Sequence, residues 1–131
     1  MRFVGMRPWV AGSSVTDVIR DVDSARVDLM RNYQAETISI DIESARVSLE
    51  MRAVTDDGPP RLRFELTGVR DFVTVDDGSG SDATFGSGGG FFQAVDIEAG
   101  RETETLWMTF QFTGFDFSCE FACLDFSPLS D

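Results

Sequence analysis

Apolar and polar residues alternate along most of the chain from residue 36 onward. Three isoleucines alternate with polar residues in 36–43, and the same pattern recurs in 47–53, 62–66 and 106–121. Successive side chains of a β-strand point to opposite faces of its sheet, so this pattern predicts strands that bury one face. The region 36–126 is therefore predicted to be built from β-strands.

The predicted strands are joined by short segments rich in turn residues. Asp56-Asp57-Gly58 followed by two prolines is typical of a turn, and Gly68 ends the strand before it. Six or seven strands joined in this way predict an antiparallel meander. Because such a sheet buries one face, it must pack on a second sheet, curl, or be covered by a helix.

The first 35 residues follow a different pattern. Residues 1–13 are predicted to form an irregular lead-in, since they contain a proline and two glycines. Ser14 with Asp17 three positions later is typical of a helix start, and the valine and isoleucine residues that follow recur at helical spacing. A helix is therefore predicted over about 14–22. Residues 24–33 stay open between helix and strand, because 21–29 matches 41–49 at six of nine positions.

Together these elements predict a mainly β fold of the α+β class. The 131 residues suit a single globular domain, 1–131, in which the meander forms a sandwich or a curled sheet and the N-terminal helix packs on it. Nine inward-facing residues are predicted to share one core: Ile38, Ile40, Val47, Leu49, Phe64, Leu66, Met108, Phe110 and Phe117.

The charged residues limit the chemistry that the chain can perform. All 11 basic residues are arginines, so histidine and lysine are absent and the usual serine, cysteine and Schiff-base nucleophile systems are excluded. Among 23 acidic residues no spacing selects a catalytic pair. The sequence therefore predicts that the protein is not an enzyme and has no catalytic residues, no metal site and no cofactor.

The net charge of −12 indicates the kind of partner. An acidic surface disfavours nucleic acid and anionic membranes as partners and favours a basic protein, because complementary fields steer association. A homodimer stays open. No stretch approaches 18 apolar residues and the N-terminus does not resemble a signal peptide, so a cytoplasmic location is expected, in a bacterium given the use of arginine without lysine.

The two cysteines are predicted to be reduced. Cys119 and Cys123 lie four residues apart, which on an extended strand is about 13 Å and too far for a disulfide. They are expected to project from one face of a strand together with Phe117 and Phe121. A disulfide through a bulge or turn is the alternative.

A glycine-rich loop over residues 76–90 is predicted to be flexible, because it holds six glycines and few apolar side chains. Phe85 is the large side chain inside it, and Asp76, Asp77 and Asp82 precede it. We expect these four residues to contact a partner. Calcium binding by the aspartates is a weaker alternative, since the order of ligands in an EF-hand loop is missing.

Trp107 is the other candidate for a partner-binding residue. Alternation places it on the face opposite Leu106 and Met108. If that face is open to solvent, a tryptophan there indicates an interface. If a helix covers the face, Trp107 is part of the packing.

Three stretches of the chain resemble small bacterial immunity proteins of polymorphic toxin systems. They are Ile-Ser-Ile-Asp-Ile-Glu with Arg-Val-Ser-Leu-Glu-Met, then Leu-Arg-Phe-Glu-Leu-Thr-Gly-Val, and finally Phe-Ser-Cys-Glu-Phe-Ala-Cys, within residues 36–126. The resemblance implies a cytoplasmic inhibitor that binds one cognate toxin and covers its active site. It supplies no functional residues. The alternatives are a nucleic-acid mimic that inhibits a DNA-binding enzyme, and a small ligand-binding or structural domain.

Overall fold

A computed structural model describes residues 1–76 and 90–130 of the chain, and every regular element within them is a β-strand. The strands are β1 (Arg2–Val4), β2 (Ser14–Val15), β3 (Asp17–Ile19), β4 (Arg26–Asp28), β5 (Tyr33–Asp41), β6 (Arg46–Ala53), β7 (Arg61–Thr67), β8 (Arg70–Asp76), β9 (Phe92–Ala99), β10 (Leu106–Phe112), β11 (Phe115–Phe121) and β12 (Cys123–Leu129). No helix in these parts of the chain is long and apolar enough to cross a membrane.

Ten of the strands form two five-stranded sheets. The first sheet has the order β1-β12-β7-β6-β5, and the second has the order β2-β9-β10-β11-β8. Strands β3 and β4 form a separate hairpin. All pairs are antiparallel except β1 with β12, which is parallel. The two large sheets bury their apolar faces in one shared core, which makes the protein a β-sandwich.

Two neighbouring stretches of chain pass from one sheet to the other, and both bend where they cross. β7 pairs with β12 in the first sheet, and their continuations β8 and β11 pair in the second. At the bend the backbone N–H of Ala122 donates to the carbonyl oxygen of Thr67 (3.0 Å). Gly68 lies opposite, with a φ of +67°, and a Cβ there would lie 2.9 Å from the Cβ of Ala122. The bend thus requires small residues on both strands.

Aromatic side chains fill the centre of the sandwich. Phe64 of the first sheet has its ring centroid 5.8 Å from that of Phe110 in the second sheet and 5.2 Å from that of Phe126. The ring centroid of Trp9 lies 6.0 Å from that of Phe64, and Phe110 stacks on Phe117 at 4.8 Å. Large rings that are shared between the sheets bury much apolar area and hold the two layers together.

The helix predicted over 14–22 is wrong, because this segment forms β2 and β3. Its apolar residues are mostly β-branched, which favours strands, and the surrounding sheet edges offer backbone partners: Val15 pairs with Val95, and Val18 pairs with Val27. Val18 is fully buried whereas Val22 is 79% exposed. The helical spacing of these residues therefore does not indicate a helix: the segment buries Val18 and pairs its backbone with other strands.

The other predictions for the N-terminal residues also need correction, because further strands form there. The lead-in 1–13 is not wholly irregular, because β1 extends the first sheet beside β12. Residues 24–33, for which the sequence allows helix or strand, contain β4 and the first residue of β5. The prediction of a single meander, in which each strand pairs with the next one in the sequence, is wrong. β5-β6-β7 and β9-β10-β11 follow that order, but β8 pairs with β11, and β12 pairs with β7 and β1.

The predicted core is largely confirmed, with one error. Seven of the nine residues are buried, and Ile38 is half-buried against the core. Ile40 is 51% exposed, so its assignment to the core is wrong. It lies near the end of the edge strand β5, in the wall of a shallow cavity that Val69 and Phe72 also line. Alternation indicates which face a residue occupies, but it does not show how far the covering sheet extends.

Both cysteines are free, as predicted. Their expected position on one strand face is wrong, because the bend at Ala122 places Cys119 in the second sheet and Cys123 in the first. Burial raises the pKa of the Cys119 thiol to about 12, so this thiol stays protonated at neutral pH.

Candidate protein interface

The outward face of the first sheet carries charges of both signs that pair with one another. Its charged side chains alternate with buried core residues, most regularly along β7. The ion pairs on this face are Arg46–Glu65 (3.1 Å), Arg61–Glu36 (3.0 Å) and Arg63–Glu50 (3.3 Å). We call it the paired face. Exposed pairs of this kind add little stability, but they largely cancel the net charge of the face.

The outward face of the second sheet is different in composition. Along β10, Trp107, Thr109 and Gln111 are half-buried and alternate with the buried Met108 and Phe110. The strand register places acidic or small polar residues beside them: Glu98 and Glu120 flank Trp107, Asp96 and Ser118 flank Thr109, and Ala94 and Asp116 flank Gln111. We call this surface, from β9 across β10 to β11, the acidic face.

The carboxylates of the acidic face have few positive partners. Asp96 accepts a hydrogen bond from the side-chain amide of Gln111 (2.5 Å). Neither Glu98 nor Asp116 forms an ion pair with a residue of 1–76 or 90–130. The charge of this face is therefore available to an external cationic group.

Two exposed valines extend the acidic face onto the edge strand β8. Val73 pairs with Ser118 and is 46% exposed, and Val75 pairs with Asp116 and is 50% exposed. Exposed apolar side chains on the same face as a half-buried tryptophan and uncompensated charge are typical of surfaces that bind proteins.

A cavity of about 230 Å³ opens at the end of the acidic face. Its lining comprises Glu98, Ala99, Gly100, Arg101, Trp107 and Glu120, where β9 turns into β10. The closing turn is held tightly, because a Cβ on Gly100 would collide with the hydroxyl of Thr105. The cavity wall is thus formed by a constrained turn and by Glu98, Trp107 and Glu120, which lie side by side on β9, β10 and β11.

Glu120 is the one buried charged residue among those described, with 1% of its surface exposed. Its Oε2 accepts hydrogen bonds from the hydroxyl of Thr105 and from the backbone N–H groups of Arg101 (3.1 Å) and Glu102 (3.3 Å). These bonds, with that of Thr105 first, lower the pKa of Glu120 below its ordinary value, so the carboxylate is charged at neutral pH. Glu120 therefore anchors the turn between β9 and β10.

Arg101, which lines the cavity, and Arg70 both form ion pairs with carboxylates. The guanidinium of Arg101 lies 2.6 Å from Oδ2 of Asp71, and that of Arg70 lies 3.1 Å from Oε1 of Glu102. The side chains of both arginines are largely exposed. Glu98 has no cationic partner among the described residues, whereas the charge of Arg101 attracts Glu120 in addition to the hydrogen bonds that Glu120 accepts.

The structure places one of the five predicted site residues on a described surface. Trp107 lies on the outward face opposite Leu106 and Met108, as its position in the alternation predicts, and its role in binding stays a prediction. Asp76 is the last residue of β8, paired in register with Phe115. Asp77, Asp82 and Phe85 lie outside the described residues, as does most of the loop 76–90, so their predicted roles and its predicted flexibility stay predictions.

Sequence reasoning missed Glu120 and the cavity. Glu120 alternates with buried residues like any solvent-facing glutamate of a strand, so the pattern predicts a solvated side chain. Its burial results from the turn 100–105, which folds over it. Within the described parts of the chain no group of acidic or cysteine residues is arranged to hold a metal ion.

Comparison with known proteins supports the fold alone. No protein-family model matches the sequence, and no curated protein matches it. The structure is similar to that of an uncharacterized protein from Neisseria gonorrhoeae, with a TM-score of 0.52 and 11% sequence identity, over 76% of this chain and 94% of the other. At this identity the similarity concerns the arrangement of strands and carries no function.

Proposed function

We propose that the protein is an acidic protein-binding module that neutralises a basic partner, a toxin or an enzyme, by covering its functional site. The observation that carries this proposal is the difference between the two outward faces. Charges on the paired face cancel, whereas the acidic face presents Glu98 and Asp116 without described ion-pair partners, beside Trp107. The bacterial immunity proteins that the sequence resembles act in this way.

The physical properties of the acidic face suit such an interaction. A tryptophan supplies a large contact area at low entropic cost, and uncompensated carboxylates steer a basic surface toward it. We place this interaction in the cytoplasm, where free cysteines such as Cys119 and Cys123 persist.

Charge-neutral variants of the two faces test the proposal. The D96N/D116N variant removes two charges from the acidic face, and the E50Q/E65Q variant removes two from the paired face. We expect the wild-type protein to capture a basic protein from its native cells, and D96N/D116N to bind that protein about fivefold more weakly, since two exposed charge contacts contribute about 1 kcal/mol. Binding is measured by calorimetry with the captured partner.

The E50Q/E65Q variant is the matched control, because it changes the net charge of the chain by the same amount. We expect it to bind the captured partner as the wild type does. Binding of the wild type should also weaken as salt concentration rises. Equal effects of the two variants, or a captured partner that is not basic, would contradict the proposal.

A further inference from the structure

One oxygen of the buried Glu120 carboxylate remains without a hydrogen bond. All the bonds that this carboxylate accepts go to Oε2, and Oε1 accepts none from the described residues. Yet no buried side-chain oxygen or nitrogen in these residues lacks a partner. Oε1 therefore keeps a small exposed area, within the 1% of the Glu120 surface that is open to solvent, and Glu120 lines the cavity at Trp107. The carboxylate is held rigidly by three donors on one oxygen while the other is available to a ligand.

Trp107 lies between two carboxylates. In the strand register it pairs with Glu98 on β9 and with Glu120 on β11, and all three residues line the cavity. Directly paired residues of neighbouring strands have Cβ atoms about 5 Å apart. The indole and both negative charges are thus within reach of one small cationic group.

The chemistry of this cavity suits an organic cation rather than a metal ion. The aromatic face of tryptophan attracts cations, and a planar guanidinium both stacks on it and donates several hydrogen bonds to carboxylate oxygens. Arg101 lines the same cavity, but its guanidinium lies on Asp71 and its side chain is 75% exposed. The charge of Arg101 also attracts Glu120, but its guanidinium donates its hydrogen bond to Asp71 and none to Glu120 or Glu98. Both carboxylates therefore keep acceptor sites for a second cation.

We propose that the cavity formed by Trp107, Glu98 and Glu120 binds the guanidinium group of an arginine side chain. That this arginine belongs to the basic partner rests on the proposed function. The buried, immobilised carboxylate acts as the specific acceptor, Glu98 supplies a second charge, and Trp107 provides the surface on which the guanidinium stacks.

Nα-acetyl-arginine amide and Nα-acetyl-citrulline amide test this proposal directly. The two compounds have nearly the same shape, but citrulline carries a neutral urea in place of the guanidinium. We expect saturable binding of the arginine compound that shifts the indole N–H signal of Trp107 in nuclear magnetic resonance spectra. The citrulline compound should bind at least about tenfold more weakly. Trp9, which is 9% exposed in the core, provides an internal control signal that should not shift.

Variants of the two glutamates at the turn locate the binding site. Glu98→Gln should weaken binding of the arginine compound about threefold or more, as expected for the loss of one partly solvated charge contact. Glu104→Gln is the matched control, because Glu104 is exposed on the same turn and does not line the cavity. Equal binding of arginine and citrulline compounds, equal effects of the two variants, or the absence of a saturable shift at Trp107 would each overturn the proposal.

Failure of the cavity proposal and failure of the proposed function would give different results. If the arginine compound fails to bind while D96N/D116N still loses the basic partner, the acidic face binds by other contacts and the cavity assignment is wrong. If the arginine compound binds at Trp107 but the two faces contribute equally to partner binding, the cavity stands and the proposed function fails.

Discussion

Replacing Phe64 with alanine is expected to lower the free energy of unfolding by about 3–5 kcal/mol, the range for deleting a large buried aromatic side chain. Phe64 is fully buried, and its ring contacts Trp9, Phe110 and Phe126. Because these neighbours come from both sheets and the N-terminal segment, they cannot all move into the vacated space. Urea unfolding followed by tryptophan fluorescence measures the loss.

Phe91→Ala is the control for that measurement. Phe91 precedes β9 and is 37% exposed, so truncating it should cost about 1–2 kcal/mol, less than the loss expected at Phe64. A loss at Phe91 that equals the loss at Phe64 would contradict a core centred on the rings between the two sheets.

Gly5→Ala is expected to lower the free energy of unfolding by about 2–5 kcal/mol. Gly5 has a φ of +82°, which costs other residues about 1–2 kcal/mol, and a Cβ there would collide with the backbone carbonyl oxygen of Phe126. Relieving the collision means shifting β12 or the segment after β1, which adds about 1–3 kcal/mol, as in overpacked cores.

Gly12→Ala separates the cost of backbone strain from the cost of the collision with Phe126. Gly12 has a similar φ of +90°, but a Cβ there would meet nothing within 4 Å. It should therefore cost only the backbone strain of about 1–2 kcal/mol. If the two variants unfold at the same urea concentration, the close approach of Gly5 to Phe126 is not present in solution.

The longer strands that bury alternate residues over most of their length, β6, β7 and β10, were predictable from that alternation. β6, β7 and β10 follow the alternation closely, and seven of the nine predicted core residues lie where the pattern places them. The N-terminal strands were not predictable in this way. β2 and β3 have only two and three residues, and such short strands show no period of their own. They form strands because β9 offers backbone hydrogen-bond partners to β2, and β4 offers them to β3.

The candidate interface was predictable only in part. Alternation alone places Trp107 on the outward face of its strand. The partition of charge between the two faces depends on which strands become neighbours, and β7 pairs with β6 and with the distant β12. In the same way, Val75 lies beside Asp116 only because β8 pairs with β11, which is distant in the sequence. Likewise, the bend at Ala122 separates Cys119 from Cys123, although the sequence between them looks like one continuous strand.

Site-specific photocrosslinking in the native cells tests most directly the claim that the acidic face is the interface. A photoreactive amino acid is placed at Thr109, in the centre of the acidic face, or at Ser48, in the centre of the paired face. Both residues are half-buried on inner strands and face outward. If the acidic face is the interface, position 109 forms an adduct with a basic protein and position 48 forms none. An adduct formed equally from both positions, or only from position 48, would contradict it.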